Sequence, residues 1–279
     1  MQTTSPIETS NISTRDYLTV AEEVAANLAA NAIQYDAEAG LPTEEVSMLK
    51  ESGLLLLPVP REYGGAGASW PQLYRVVQIL ASGSYSFDNV QVSPEDIVGP
   101  PQDMTSAFLT LVFSLSQMSK VFTYLGIADG ALNAAREYTL TMSRPWQGSG
   151  IEQASQDPYI LQKYGELWAD LQAAIALADQ GARKIQQGWD KGTSLTAEGR
   201  GEIAIAVAAA KTVAIKAGLS VTNEIFEVMG ARATSSRYGF DRYWRDLRTF
   251  SLHDPRAYKH KEIGNWFLNQ EYPVPSQYS

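Results

Sequence analysis

The chain has 279 residues and no cysteine. That excludes disulfides, thiolate metal sites, iron–sulfur clusters and a cysteine nucleophile, and it fits a reducing compartment. Histidine is almost as scarce. His253 and His260 are the only two, seven positions apart with Pro255 between them. They do not fall on adjacent helical turns, so no two-histidine metal site is expected. A Walker A loop, a GxGxxG run after a strand, an HExxH pair and a GxSxG elbow are all missing. Met1 to Arg15 is polar and rich in Ser and Thr, without the basic and apolar regions of a secretory signal. The apolar run Leu54–Val59, interrupted by Pro58, is far short of a membrane span. A net charge of −9, from 22 Lys+Arg against 31 Asp+Glu, opposes general nucleic-acid binding, which needs a broad basic surface. The expectation is a globular cytoplasmic protein with neither nucleic acid nor membrane as partner.

Helical periodicity fills most of the rest. Asp16 to Ala37 places Leu18, Ala21, Ala25, Leu28, Ala32 and Ile33 at three- and four-residue spacing. Thr43 to Gly53 predicts a second helix, with Thr43 at its N-cap and Gly53 just past its end. Leu54 to Pro60 predicts a buried extended piece, followed by a turn in which Gly64, Gly65 and Gly67 permit positive φ. Trp70 to Ala81 predicts a third helix. Tyr85 to Val92 alternates as a strand, closed by Pro94, and a lone strand cannot make a sheet. Three long helices follow: Thr105 to about Met142, a second starting at Asp157-Pro158, and Thr196 to Met229. Gly126 and Gly130 suggest close helix contact in the first. A last helix spans Pro255 to Leu268, before an extended Tyr272–Pro275 tail. Long helices with short connections indicate an antiparallel bundle.

Charge is unevenly placed. From Ala231 to Lys261 there are eight Lys/Arg and three Asp, a local balance of +5 on an acidic protein. Such an island suits either a bound anion or a solvated helix end. Within it, His253-Asp254 precedes Pro255. Asp254 is either the N-cap of the following helix, with His253 incidental, or His253 is a general acid/base or a donor to developing charge. Arg144, in Ser143-Arg144-Pro145-Trp146, either complements a helix C-terminus or clamps an anion through its planar fork. Glu22-Glu23 and Glu44-Glu45 are expected to be solvated.

Several segments carry a family likeness. Leu57-Pro58-Val59-Pro60-Arg61-Glu62-Tyr63-Gly64-Gly65-Ala66-Gly67 resembles the N-terminal signature of the acyl-CoA dehydrogenase superfamily. Phe87 to Pro94 is similar to the last strand of its middle β-domain. Phe226 to Arg232, followed by Arg245-Asp246, resembles its cofactor-contacting C-terminal segment. Ser143 to Trp146, Tyr164-Gly165-Glu166-Leu167, Leu252-His253-Asp254-Pro255 and the Tyr272–Pro275 ending most resemble the flavin-dependent monooxygenase branch, that of dibenzothiophene monooxygenase and the sulfur-acquisition oxidoreductases. Laid without gaps from Arg245-Asp246, the chain puts Asp254-Pro255 where acyl-CoA dehydrogenases carry the Glu-Gly of their α-proton base, which weakens a dehydrogenase reading.

The resemblance implies a mainly α fold: an N-terminal helical remnant (residues 1–81), a residual strand of the middle β-domain (82–100) and a C-terminal four-helix bundle (101–279). About a hundred residues, a domain's worth, are absent between Ala81 and Ser82 relative to the family. It implies an FMNH2-dependent monooxygenase acting on organosulfur or similar apolar substrates, with an acyl-CoA dehydrogenase-type flavoprotein and a non-catalytic helical oligomer as alternatives. The implied cofactor is flavin, FMN ahead of FAD, and the implied partners are a separate flavin reductase and further copies of the chain in a homotetramer or homodimer. The implied site is His253 near the reactive flavin carbon, Arg144 on the flavin phosphate across a subunit interface, and the Ala231-Arg232 turn against the flavin.

Overall fold

The segment from Ala197 to Met229 is so rich in alanine that no side chain holds its neighbours at a distance, and it becomes the central helix. In the computed structural model, which describes residues 16–38, 43–82 and 105–279, this helix (α6, Ala197–Met229) is buried on nearly every side. It packs against α4 (Leu111–Thr141), α5 (Pro158–Lys191) and α8 (Arg256–Asn269). Among the described residues α6 is the one helix long and apolar enough to cross a membrane, and 67% of its apolar window is buried. Side-chain caps fix the N-terminal ends of α5 and α6. Asp157 caps α5 by accepting from Tyr159 N at 2.9 Å, and Thr196 caps α6 by accepting from Gly199 N at 3.1 Å. Each such cap contributes about 1 kcal/mol.

Side-chain pairs fix the topology. Thr139 near the end of α4 meets Tyr164 near the start of α5, hydroxyl to hydroxyl at 2.8 Å. Lys163 at the start of α5 donates to Glu224 near the end of α6 at 2.9 Å. Hence α5 runs antiparallel to both neighbours, and α4 and α6 run parallel.

The N-terminal helices attach to the α4 side. They are α1 (Tyr17–Glu38), α2 (Thr43–Glu51) and α3 (Trp70–Ala81). Ala21, Val24 and Leu28 of α1, Leu49 of α2, Leu54, Leu57 and Val76 form a small core of their own. The expected glycine contacts are real: a Cβ on Gly126 would lie 2.1 Å from the Gln78 carbonyl oxygen, and one on Gly130 2.2 Å from that of Ser82. Backbone of α3 therefore sits directly on α4, and only glycine leaves room for it.

Three expectations need correction. Leu54 to Leu56 form a 3-10 turn, not an extended piece; Leu54 and Leu57 turn inward while Leu55 stays exposed. In the glycine turn, Gly64 and Gly67 have positive φ (82° and 60°), as does Gly53 (77°). Gly65 does not; it is needed because a Cβ there would lie 2.0 Å from the Val59 carbonyl oxygen. Glu45 is buried, because it shares a face of α2 with Leu49 four residues on, whereas Glu22, Glu23 and Glu44 are exposed. No strand occurs among the described residues, and the expected strand at 85–92 lies outside them.

Candidate functional site

The arginine-rich stretch folds as a helix that its charges concealed. Phe240, Tyr243 and Leu247, at positions i, i+3 and i+7, are buried against the bundle. They make α7 (Asp241–Ser251) lie across α4 and α6. Leu247 seats in a notch at Gly218 of α6, where an added Cβ would come within 2.5 Å of Leu247 Cδ1. The ring of Phe250 meets Tyr124 edge-on at 5.2 Å between centroids.

The positive island is partly paired within the fold. Arg242 is buried, donating to the Gly239 carbonyl at 2.7 Å and to the Tyr243 hydroxyl at 2.8 Å. Arg245 donates to Asp36 of α1 at 3.1 Å and to Asp241 at 3.0 Å. Arg248 has no carboxylate partner among the described residues. It lines an open cavity of about 960 Å³ between α1, α3, α4 and α7. Val77, Leu80, Ile127, Trp244 and Phe250 give the cavity apolar walls, and Thr123, Arg248 and His253 give it polar groups.

His253 sits in the turn between α7 and α8, its backbone N–H bonded to the Phe250 carbonyl at 3.2 Å. Its side chain is 51% exposed. Nδ1 lies 3.1 Å from Lys120 Nζ of α4 and 3.6 Å from Asp254 Oδ1. Asp254 does not cap α8: Pro255 holds the N-cap position without a side-chain bond. Asp254 instead turns inward and pairs with Lys211 of α6, which is fully buried. Lys211 Nζ also donates to Gln117 Oε1 at 2.6 Å. Burial pushes the Lys211 ammonium down to about 8, against the opposing pull of Asp254. Burial acts to raise the Asp254 carboxyl, but the hydrogen bond and charge of Lys211, with Lys120 and Lys259, outweigh it and hold the group below the usual carboxylate range. Asp254 Oδ2 is buried without a hydrogen-bond partner among the described residues.

Arg144, Ala231 and Arg232 form a second group elsewhere. Ser143 Oγ donates to the Met229 carbonyl at 3.1 Å, which ties the loop after α4 to the C-terminus of α6. Gly230, at φ 83°, then turns the chain into exposed Ala231 and Arg232. Arg144 is exposed in the adjoining loop. These three residues therefore meet at one end of the bundle. His253 contacts Lys120, about 30 Å away along α4 at 1.5 Å per residue. One chain does not bring the four expected site residues together.

Sequence reasoning missed Lys120, Gln117, Lys211 and Arg248. A lysine inside the alanine run of α6 was the available signal, since a charge among alanines on a central helix must find a buried partner.

Chemically, an imidazole and a guanidinium beside an aromatic-walled cavity can donate to negative charge that develops there. The fold and this cavity define a helical acyl-CoA dehydrogenase-like protein. The family described as acyl-CoA dehydrogenase, N-terminal domain, matches residues 16–102, and that described as acyl-CoA dehydrogenase, C-terminal domain, matches residues 119–255. The chain belongs to the acyl-CoA dehydrogenase superfamily. It is 48% identical over 224 residues to a dibenzothiophene monooxygenase of Mycolicibacterium goodii, covering 78% of this chain and 54% of that protein. It is 42% identical over 198 residues to the probable FMNH2-dependent monooxygenase SfnC of Pseudomonas putida, covering 71% and 50%. The chain thus spans about half the length of the curated relatives it matches. Methanesulfinate monooxygenase MsuC from Pseudomonas fluorescens superimposes with a TM-score of 0.87 at 27% identity, covering 95% of this chain and 100% of that one. The complex of TdsC from Paenibacillus sp. A11-2 with FMN and indole gives 0.86 at 28%, covering 94% and 99%.

Proposed function

We propose that the chain is a flavin-dependent oxidoreductase of the monooxygenase type. It would take reduced FMN from a separate reductase and place one oxygen atom of O2 on an organosulfur or similarly apolar substrate. The observation that carries this is His253 at the wall of an apolar, aromatic-lined cavity large enough for a ring system. The names of the relatives, and FMN in the TdsC complex, support the cofactor and its preference over FAD.

The donor set fits a flavin in two halves. The cavity offers apolar walls with an imidazole and a guanidinium that has no carboxylate partner among the described residues, and the loops carrying Arg144 and Arg232 offer two exposed arginines to a phosphate. Because about 30 Å separates the halves, they serve one ligand only if contributed by two copies, which supports a homodimer or homotetramer. Bound reduced FMN would supply the two electrons that take the second oxygen atom to water. His253 would donate a hydrogen bond to charge developing at the reacting oxygen. Trp244, Phe250 and Ile127 would exclude water and orient an apolar substrate, and Arg144 would hold phosphate. Asp254 is 5% exposed and committed to Lys211, which argues against its acting as a dehydrogenase-type proton base.

The half-length of the chain favours a second reading, a helical oligomer that has lost catalysis with its β-domain. That reading goes with a division into residues 1–81, 82–100 and 101–279. Titration with FMN, followed by visible absorbance, decides between the readings. Saturable binding is expected, weakened about 10- to 100-fold by Arg144→Ala, the loss of one charge-assisted hydrogen bond. No flavin band and no binding would leave only the second reading. A clean monomer by gel filtration at micromolar concentration would contradict the shared site.

A further inference from the structure

We infer that Lys120 is a positioning residue that fixes the tautomer of His253, holding Nδ1 as an acceptor so that the ring carries its proton on Nε2. The inference deepens the proposed role of His253 as a donor and rests on that reading only for its functional meaning; its geometry is independent of flavin.

Two groups compete for Nδ1. Lys120 Nζ is within hydrogen-bond distance at 3.1 Å, whereas Asp254 Oδ1 stands at 3.6 Å and is already occupied by Lys211. An ammonium has three donors and no acceptor, so the imidazole nitrogen facing it must be unprotonated. The carboxylate would select the opposite form, drawing a proton onto Nδ1. Lys120 comes from α4, Asp254 from the turn, Lys211 from α6 and Lys259 from α8, and Arg248 of α7 shares the cavity. Burial lowers the Lys120 ammonium below the ordinary lysine value and the Asp254 charge opposes that fall. Lys211 therefore acts at one remove: by occupying Asp254 it keeps the carboxylate from claiming the ring.

The consequence is directional. With Nδ1 bonded to Lys120, the only N–H left on the ring is at Nε2, the nitrogen that does not face the ammonium. His253 then donates through a single defined atom, which is set by the charges of Lys120 and Lys211 and not by a carboxylate–histidine pair.

Only two histidines make the test direct. The protein is prepared with nitrogen-labelled histidine, without flavin, and studied by nitrogen NMR at about pH 7.5, above the ordinary imidazole value of about 6.5 and below the Lys211 value of about 8. His260→Asn assigns the second signal set. A pyridine-type Nδ1 and a protonated Nε2 are expected for His253. Lys120→Met should raise the minority Nδ1–H form about tenfold, the change made by one charge-assisted hydrogen bond, as Asp254 becomes the nearest polar partner. Lys120→Arg should restore the original ratio. A protonated Nδ1 in the unsubstituted protein overturns the inference, and so does an unchanged ratio in Lys120→Met. Failure of FMN to bind would count against the proposed function and leave this result standing.

Discussion

Replacing Lys211 by methionine should cost stability and also erase a pH dependence. The side chain is fully buried and bonded to Asp254 and Gln117. Lys211→Met keeps the length and removes the charge, leaving the Asp254 carboxylate 5% exposed without its direct partner. Breaking one side of a buried pair costs about 3–5 kcal/mol. The low end applies here, because the charges of Lys120 and Lys259 still reach Asp254. Burial depresses the folded-state Lys211 from 10.5 to about 8. Between those values the unfolded chain holds a proton that the folded protein has released, so raising the pH through that window stabilises the fold. The gap corresponds to roughly 3 kcal/mol at about 1.4 kcal/mol per pH unit. Above about pH 10 the slope reverses, since burial raises Tyr74 and Tyr124 and the unfolded chain loses those protons first. Guanidinium denaturation at pH 7, 8, 9 and 10 reads both effects. The unsubstituted protein should gain stability from about pH 8 to 10. Lys211→Met should start lower and keep only the smaller rise due to Lys120, whose ammonium burial also lowers. A Lys211→Met, Asp254→Leu double variant should recover most of the loss. The reasoning fails if the single variant costs under about 1 kcal/mol or rises with pH as steeply as its parent.

Gly126→Ala should destabilise by about 1–3 kcal/mol, because its Cβ meets the Gln78 carbonyl and α3 must move; thermal unfolding reads this, and a neutral result would mean that α3 is not seated on α4. Ser143→Ala removes the hydrogen bond to Met229 and should cost about 1 kcal/mol while weakening FMN binding in the same direction as Arg144→Ala; unaltered FMN affinity would detach that loop from the site. Arg245→Ala, whose partners are exposed, should change global stability by under about 1 kcal/mol yet speed hydrogen exchange in α1; unchanged exchange there would show that the Asp36 contact anchors nothing.

Periodicity and local signals located the helices closely, since Asp157 at the start of α5 and Gly53 after α2 act through their own neighbours and leave a local trace. The breaks came where long-range partners decide. Helix α7 buries only Tyr243 and Leu247, with Phe240 just before it, as apolar anchors among five charged residues, and its burial is set by Gly218 on another helix. Leu54 to Leu57 is apolar throughout, so its pattern does not distinguish a strand from a tight helical turn. Asp254 before Pro255 has the sequence of a cap, and only the depth of Lys211 in α6 shows why its carboxylate turns inward. His253 and Arg144 were expected in one site shared across a subunit interface, and the length of α4 separates them within one chain in keeping with that expectation. The arginines of α7 announced a bound anion by count, but Arg242 and Arg245 bind partners within the chain, leaving Arg248 to the cavity.

The glycine notches on α4 have a consequence for how this scaffold can be built upon. Gly130 holds the backbone of Ser82, and Ala81, one residue earlier, lines the cavity beside His253. The chain therefore leaves α3 from a fixed point at the cavity rim, and a polypeptide inserted after Ser82 would be tethered there at an effective concentration on the order of millimolar. A weakly cohesive domain placed at that position would close over the cavity without needing much affinity of its own, which makes the α3 terminus a natural splice point for exchanging the lid of such a site.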